Sequence, residues 1–379
     1  MLKTVRICAN IWVINGLEAC EMSTETQNIN NLFLSIVMPA YRVEKVLEAA
    51  VEDVLNQTFA DFELILVDDC SPDCSGEICD QLAQRDNRIK VIHLPQNGGA
   101  SNARNQGIQI AQGEYILFLD GDDKFDKDML ERTVIVAKET QADAVMFGLL
   151  EEHFDNKGEL RNKVLVCPER KSLKNIKELR EYVIEMEKTN LYGYSTNKLY
   201  KTDILKENNV RFVIMKFNED IIFNIDFFNH AQTLEVIDFA PYHYLKRVES
   251  STTSRFIPTY YEDIMIKIKR LYEQFEAWNM LSQDILTVIA QRYVRYVFSA
   301  LERNNDSRAE MKSKQRKDFL LKIYKSDLYG KLSPYMTWGG LSGIMAKSLK
   351  NKRTFSCLTI AKTIRVIKKF SPKLFSKIS

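Results

Sequence analysis

The sequence predicts an α/β fold: a mostly parallel central sheet flanked by helices, followed by a helical, basic C-terminal extension. Three observations predict it. Short apolar runs suited to buried strands alternate with segments of helical period between Leu34 and Leu119, and helices between successive strands imply crossovers and parallel pairing. The strand runs end in polar or acidic residues, where ligands sit in such sheets. Beyond Pro258 the pattern turns helical and basic residues accumulate.

Residues 1–31 show no clear period and close in the polar stretch Ser23–Asn31, so a poorly ordered extension is expected there. The apolar run Ile7–Leu17 is broken by Asn10 and Asn15 and lacks a small-x-small cleavage site, which disfavours a leader peptide; Met22 offers a second start. Leu34–Met38 reads as a buried strand closed by Pro39. Val43–Asn56 reads as a helix with Val46, Leu47, Ala50, Val54 and Leu55 on one face. Phe62–Val67 is a second strand, ending in Asp68 and Asp69, and Ser71-Pro72-Asp73 opens a helix to about Arg85. Arg88–Leu94 is a third strand, Asn97-Gly98-Gly99 a loop, and Ala100–Ala111 a helix. Tyr115–Leu119 is apolar throughout, too short for a helix and suited to a strand covered on both faces. It delivers Asp120, Asp122 and Asp123 to a sheet edge, with Gly121 between them to let the backbone turn.

After a helix at Asp128–Thr140, strands are expected at Ala144–Leu150 and Val164–Cys167, with Glu151–Glu159 as a polar hairpin tip. Leu173–Met186 reads as an amphipathic helix and Thr202 as a further helical start. Glu219 and Asp220 precede an apolar helix to about Asn229. A short strand holds Val236; Tyr242–Arg247 and a Ser/Thr-rich loop, Ser250–Ser254, follow. Tyr261–Trp278 and Leu281–Leu301 are the clearest later helices. The expected domains are therefore 32–255, divided near 125, and a helical region over 256–379.

Asp120, Asp122 and Asp123 repel one another and are costly beside a core unless a cation neutralises them. A hard divalent ion, Mn2+ or Mg2+, suits such oxygen ligands. A solvated acidic turn is the alternative on those residues alone, and capping of a helix N-terminus is the alternative for Glu219 and Asp220. The seven cysteines are scattered; Cys70, Cys74 and Cys79 contain no CxxC and read as reduced thiols rather than a zinc site. The net charge of +2 hides a split: from Leu301 to the end, 19 Lys+Arg stand against 5 Asp+Glu, leaving 34 and 46 for the residues before. No apolar run reaches the length of a membrane span.

At this point the residues resemble family 2 glycosyltransferases of the Rossmann-like GT-A fold, of the type that builds bacterial surface polysaccharides. The resemblance is carried by Ser35–Tyr41 with Glu44, Leu55–Thr58, Leu64–Asp69, Asn97–Gly99, Ala103–Gly107, and Gly113–Tyr115 leading to Asp120–Asp123. Asn197–Tyr200 and Glu219-Asp220 extend it, over roughly Leu32–Ser254. The family usually has Asn where Arg42 stands and Gly where Cys70 stands, and often a bulky residue in place of Thr196. The resemblance implies an inverting sugar transfer from a UDP-sugar to a hydroxyl of a glycan or lipid-linked acceptor. It implies that Pro39, Ala40, Tyr41, Glu44 and Asp69 line the nucleoside site, supported by Asn97, Gly98 and Arg104, the last of which has partnership with a strand-end carboxylate as its alternative. Asp122, helped by Asp120, would hold the metal. Asp120 has a ribose contact as its alternative, and Asp123 would face the sugar or stand behind the ligands. Lys198 would reach the diphosphate or acceptor, or pair with a structural carboxylate. Asp220 is the implied base and Glu219 its orienting neighbour, while Tyr244, Arg247 and Ser250–Thr252 resemble a mobile closing loop.

Two other classes compete. A metal-dependent nucleotidyltransferase would have no use for Glu219-Asp220 and would usually show a Gly-rich basic loop where Met38–Tyr41 stands. A nucleic-acid binder leaves the acidic strand ends unexplained, and no nucleic acid is expected as a partner. The last 52 residues hold 11 basic side chains and no acidic one, interleaved with Phe355, Leu358, Ile360, Ile364, Val366, Ile367, Phe370, Leu374 and Phe375. That pattern suits a helix at an anionic membrane, and thus a cytoplasmic enzyme peripheral at the inner face of the plasma membrane. The alternative is a basic helix packed on the acidic remainder of the chain.

Overall fold

The structure, a computed structural model, describes residues 32–155, 157–215, 217–247 and 256–370. The expected N-terminal extension, the Ser250–Ser254 loop, and Leu374 and Phe375 lie outside the described residues. From Leu32 onward the chain packs as one compact unit, and no division falls near residue 255.

The first half follows the sequence closely. Strand β1 (Leu34–Ala40) leads to helix α1 (Leu47–Leu55), β2 (Phe62–Asp68), α2 (Ser75–Arg85), β3 (Ile89–His93), α3 (Gly99–Ile110) and β4 (Tyr115–Phe118). β1, β2, β3 and β4 pair in parallel, and β1, β2 and β4 are almost wholly buried, as their unbroken apolar runs require. Pro39 lies within β1, opposite Val67, rather than closing it; the pairing with β4 has already stopped at Val37, so its missing N–H costs no bond on that side. α1 begins later than the period suggests, at Leu47, and Pro72 falls before α2 instead of in its first turn.

The second half departs more. β5 (Lys124–Phe125) and α4 (Met129–Thr140) are followed by β6 (Ala144–Met146) and β7 (Leu149–Phe154), two strands in different sheets where one was expected. Gly148 stands at the break. A Cβ there would lie 2.7 Å from the Val166 carbonyl oxygen, so only glycine lets the chain change sheets at this point. β8 (Leu160–Val166) starts earlier than expected because the hairpin tip is confined to 155–159, where Asp155 accepts the N–H groups of Lys157 and Glu159. Leu173 belongs to β9 (Lys171–Leu173), and α5 (Ile176–Lys188) starts after Asn175, which caps it.

Next come β10 (Lys198–Lys201), α6 (Thr202–Glu207), α7 (Glu219–Phe228), β11 (Leu234–Val236) and β12 (Tyr242–Arg247). The main sheet has the order β3-β2-β1-β4-β10-β6-β11-β9. β10 runs antiparallel to both its neighbours and joins the parallel half to the rest. A second sheet, β5-β12-β7-β8, stands beside the C-terminal end of β4.

Helices α8 (Tyr260–Ala277), α9 (Gln283–Arg303), α10 (Ser313–Tyr324), α11 (Asp327–Leu332), α12 (Gly340–Lys350) and α13 (Thr354–Phe370) complete the chain. Their apolar faces share one core cluster with Val37, Phe118 and Tyr200 of the sheet, so the helical region is continuous with the core of the main sheet. α13 is packed on the protein, which is the alternative read from sequence. Cys357 and Ala361 are buried, and Arg365 and Lys368 pair with Glu302 of α9 at 3.1 and 3.0 Å. Its outward face still presents Phe355, 84% exposed, and Val366, with Ile344 of α12 nearby in sequence and also exposed. Among the described residues no helix is long and apolar enough to cross a membrane.

Candidate active site

Two polar clusters form at the carboxyl ends of the parallel strands, and α3 connects them. The first sits between β1, β2 and the start of α3. The Asp69 N–H donates to the Ala40 carbonyl at 2.9 Å. Asp69 then accepts from the side chain of Asn97 at 2.9 Å and from the backbone N–H groups of Gly98 and Gly99 at 2.8 and 2.7 Å. Gly99 adopts φ +81°, a conformation that suits glycine. The structure thus brings Ala40, Asp69, Asn97 and Gly98 together, with Asp69 2% exposed and bonded to the loop that opens α3. Tyr41 is exposed with the Arg42 guanidinium 5.4 Å from its ring centre, and Glu44 accepts the Cys74 N–H at 3.1 Å.

The second cluster lies after β4. Asp120 and Asp122 are about one-third exposed, whereas Asp123 is buried and accepts from the Tyr242 hydroxyl and the Leu245 N–H of β12. Asp123 is therefore a fastener between the two sheets, and of its two alternatives from sequence it stands behind Asp120 and Asp122 rather than facing outward. Burial, with the Asp120 charge next, pushes the Asp122 carboxyl above its ordinary range. Among the described residues no group of three carboxylate, thiol or imidazole side chains forms a cage for a metal. Asp120 and Asp122 nonetheless fit a hard divalent ion that takes one or two protein carboxylates and completes its shell with phosphate and water, the usual habit of Mg2+. Cys70 and Cys74 are exposed and Cys79 is buried, its thiol pushed up to about 12 by burial.

Facing this cluster is the N-terminus of α7. Asn218, at φ +67°, turns the chain sharply into Glu219 and Asp220. Asp220 Oδ1 accepts from the Ser195 hydroxyl at 2.6 Å and from Arg104 at 3.2 Å. Burial pushes both carboxyls up, Glu219 to about 7, while Arg104 and Ser195 oppose the rise at Asp220. Glu219 Oε2 and Asn218 Nδ2 are buried without a protein partner, as is Arg104 Nε. Orphaned polar atoms gathered at one place mark a site built for something other than its own packing.

Arg104 is 4% exposed and donates to Asp120 at 2.7 Å as well as to Asp220. Of its two alternatives from sequence, carboxylate partner is the one observed. Lys198 is fully buried and donates to the carbonyls of Leu191 and Tyr194 and to Asn197 Oδ1, at 2.8, 2.7 and 2.7 Å. Burial pushes its ammonium down to about 7. It holds the segment before β10 in place through carbonyl and amide oxygens, and its bonds here include neither a free reach toward a diphosphate or acceptor nor a structural carboxylate. Tyr244 and Arg247 lie in β12 rather than in a loop, with Arg247 donating to the Asp122 carbonyl at 3.0 Å. No local pattern in the sequence marks Ser195, whose partner Asp220 is distant in the chain.

The comparisons agree with this architecture. The model of the family described as "Glycosyl transferase family 2" matches residues 35–208. The uncharacterized glycosyltransferase EpsJ of Bacillus subtilis (strain 168) is 30% identical over 292 residues, 75% of this chain and 82% of that protein. A poly(ribitol-phosphate) beta-glucosyltransferase of Bacillus spizizenii is 32% identical over 246 residues, 62% of this chain but 37% of that longer protein. The structure of S. aureus TarS residues 1–349 in complex with UDP-GlcNAc superposes with a TM-score of 0.64 at 22% identity, covering 88% of this chain and 91% of that one.

Proposed function

The chain belongs to glycosyl transferase family 2, and on that premise we propose that it moves a sugar from a UDP-sugar, with inversion, to a hydroxyl of a glycan or lipid-linked acceptor in bacterial surface-polysaccharide synthesis. The observation that carries this reading is the opposition of two carboxylate centres across Arg104, Asp120 with Asp122 on one side and Asp220 on the other. An inverting transfer needs both: charge neutralisation at the leaving diphosphate and a base at the incoming hydroxyl. Pro39, Ala40, Tyr41 and Glu44 border the nucleoside pocket that Asp69 shapes through Asn97 and Gly98. Asp122, helped by Asp120, would hold Mn2+ or Mg2+, which would offset the charge growing on the diphosphate. Asp220 receives the acceptor proton through Oδ2, since Oδ1 is taken by Ser195 and Arg104. As that proton leaves, the acceptor oxygen bonds to the anomeric carbon and UDP departs from the opposite face. A UDP-GlcNAc-bound structural neighbour and a relative named for glucosylating poly(ribitol-phosphate) support the donor and acceptor classes.

We place the enzyme at the inner face of the plasma membrane, where the basic outer surface of α12 and α13 meets anionic lipid. Their lysines and exposed Phe355 support this. The test of the catalytic reading is a donor panel of UDP-Glc, UDP-Gal, UDP-GlcNAc and UDP-GalNAc with Mn2+, followed by UDP release. One donor should turn over, and EDTA or Asp122→Ala should nearly abolish release while the fold survives. Unchanged turnover under both treatments would remove the metal role, and no binding of UDP with Mn2+ would remove the donor class.

A further inference from the structure

We propose that Arg104 is a positioning residue that couples the two halves of the reaction, holding the base Asp220 and the metal-side carboxylate Asp120 on a single guanidinium. The inference rests on the roles given above to those two carboxylates. One nitrogen donates to Asp120 Oδ1 at 2.7 Å and another to Asp220 Oδ1 at 3.2 Å. The guanidinium presents a separate nitrogen to each acid in one rigid plane, whereas a lysine would bring all its donors on a single nitrogen at the end of a flexible stem. The guanidinium cannot swing to one side freely, because its seat is fixed. Its carbon lies 5.2 Å from the centre of the Phe212 ring, which stacks on Phe223 of α7 at 4.0 Å, and the adjacent Asn105 bonds both the N–H and the carbonyl of Phe212 at 2.8 Å.

The consequence is a shared positive charge. What Asp220 draws from Arg104 is withheld from Asp120, and Asp120 keeps that much more of its own charge for a cation. Neutralising Asp220 lets Arg104 bear fully on Asp120 and so weakens metal and nucleotide binding at the far side. By reciprocity, filling the metal side tightens the hold of Arg104 on the base. The acceptor hydroxyl then meets an oriented carboxylate when the donor is in place.

A double-mutant cycle read by calorimetric binding of UDP with Mn2+ tests this. In the otherwise native protein, Asp220→Asn should weaken that binding about fivefold, at the lower end of coupling between distinct sites. In an Arg104→Lys background, which keeps the charge and loses the fork, the same Asp220→Asn step should change binding less than twofold; Arg104→Gln should behave likewise. Circular dichroism and thermal melting report the fold of each variant. No effect of Asp220→Asn in the native background, or an equal effect in the Arg104→Lys background, would overturn the coupling. Failure of the native protein to bind UDP with Mn2+ would instead overturn the underlying catalytic reading.

Discussion

Glu219 is the residue whose environment is hardest to justify by stability. Its carboxyl has an ordinary value near 4.5, is pushed by burial to about 7, and leaves Oε2 without a protein partner. Between those values the folded chain holds a proton that the unfolded chain has released. The stability this contributes is present below about 4.5 and is lost as pH rises through about 7. Glu219→Gln should therefore raise the melting temperature at pH 8 by about 2 °C or more, with no gain at pH 5. A lower melting temperature at pH 8 would show that the charge serves mainly to cap α7. For Asp220, which burial also raises and Arg104 and Ser195 counter, Asp220→Asn should reduce turnover about 10²-fold. A loss confined to donor binding would count against its role as base.

At the scale of elements, the turns after β1 and β2 explain two departures from the family pattern. Arg42 and Cys70, which stand where Asn and Gly are usual, both adopt left-handed backbone at φ 56° and 55°. That conformation costs an ordinary residue roughly 1–2 kcal/mol and glycine little. Cys70→Gly should raise the melting temperature by about 1–2 °C while Cys70→Ala leaves it unchanged; equal effects of the two would reject backbone strain as the cause. The parallel half was legible in the sequence because each strand is a continuous apolar run and each helix has its own period. β7 was not, because Ala144–Leu150 is apolar throughout and only the close approach of Gly148 to Val166 reveals where the chain changes sheets. The carboxylates were legible as a group, but not their division of labour. Asp123 and Lys198 look like site residues until their partners, Tyr242 and Leu245 for one and Leu191 and Tyr194 for the other, are seen to consume them.

For the whole molecule, the packing of α13 changes how membrane binding should be tested. Removing the chain beyond Tyr329 would strip Leu349, Cys357 and Ala361 from the core and unseat α9, so truncation confuses binding with folding. Phe355→Asp together with Lys352→Glu and Arg353→Glu alters exposed positions alone. Sedimentation with anionic vesicles should carry the native protein down, less so as salt rises, and should leave the triple variant in solution; equal pelleting of both would sink the proposal. A different consequence follows from β10, which closes the side of β4 away from β1. The parallel half looks like a module, yet it cannot be cut out as one. A fragment ending just after the acidic turn would leave Tyr115–Phe118 as a bare apolar margin with its N–H and carbonyl groups open to any passing strand, and such fragments self-associate.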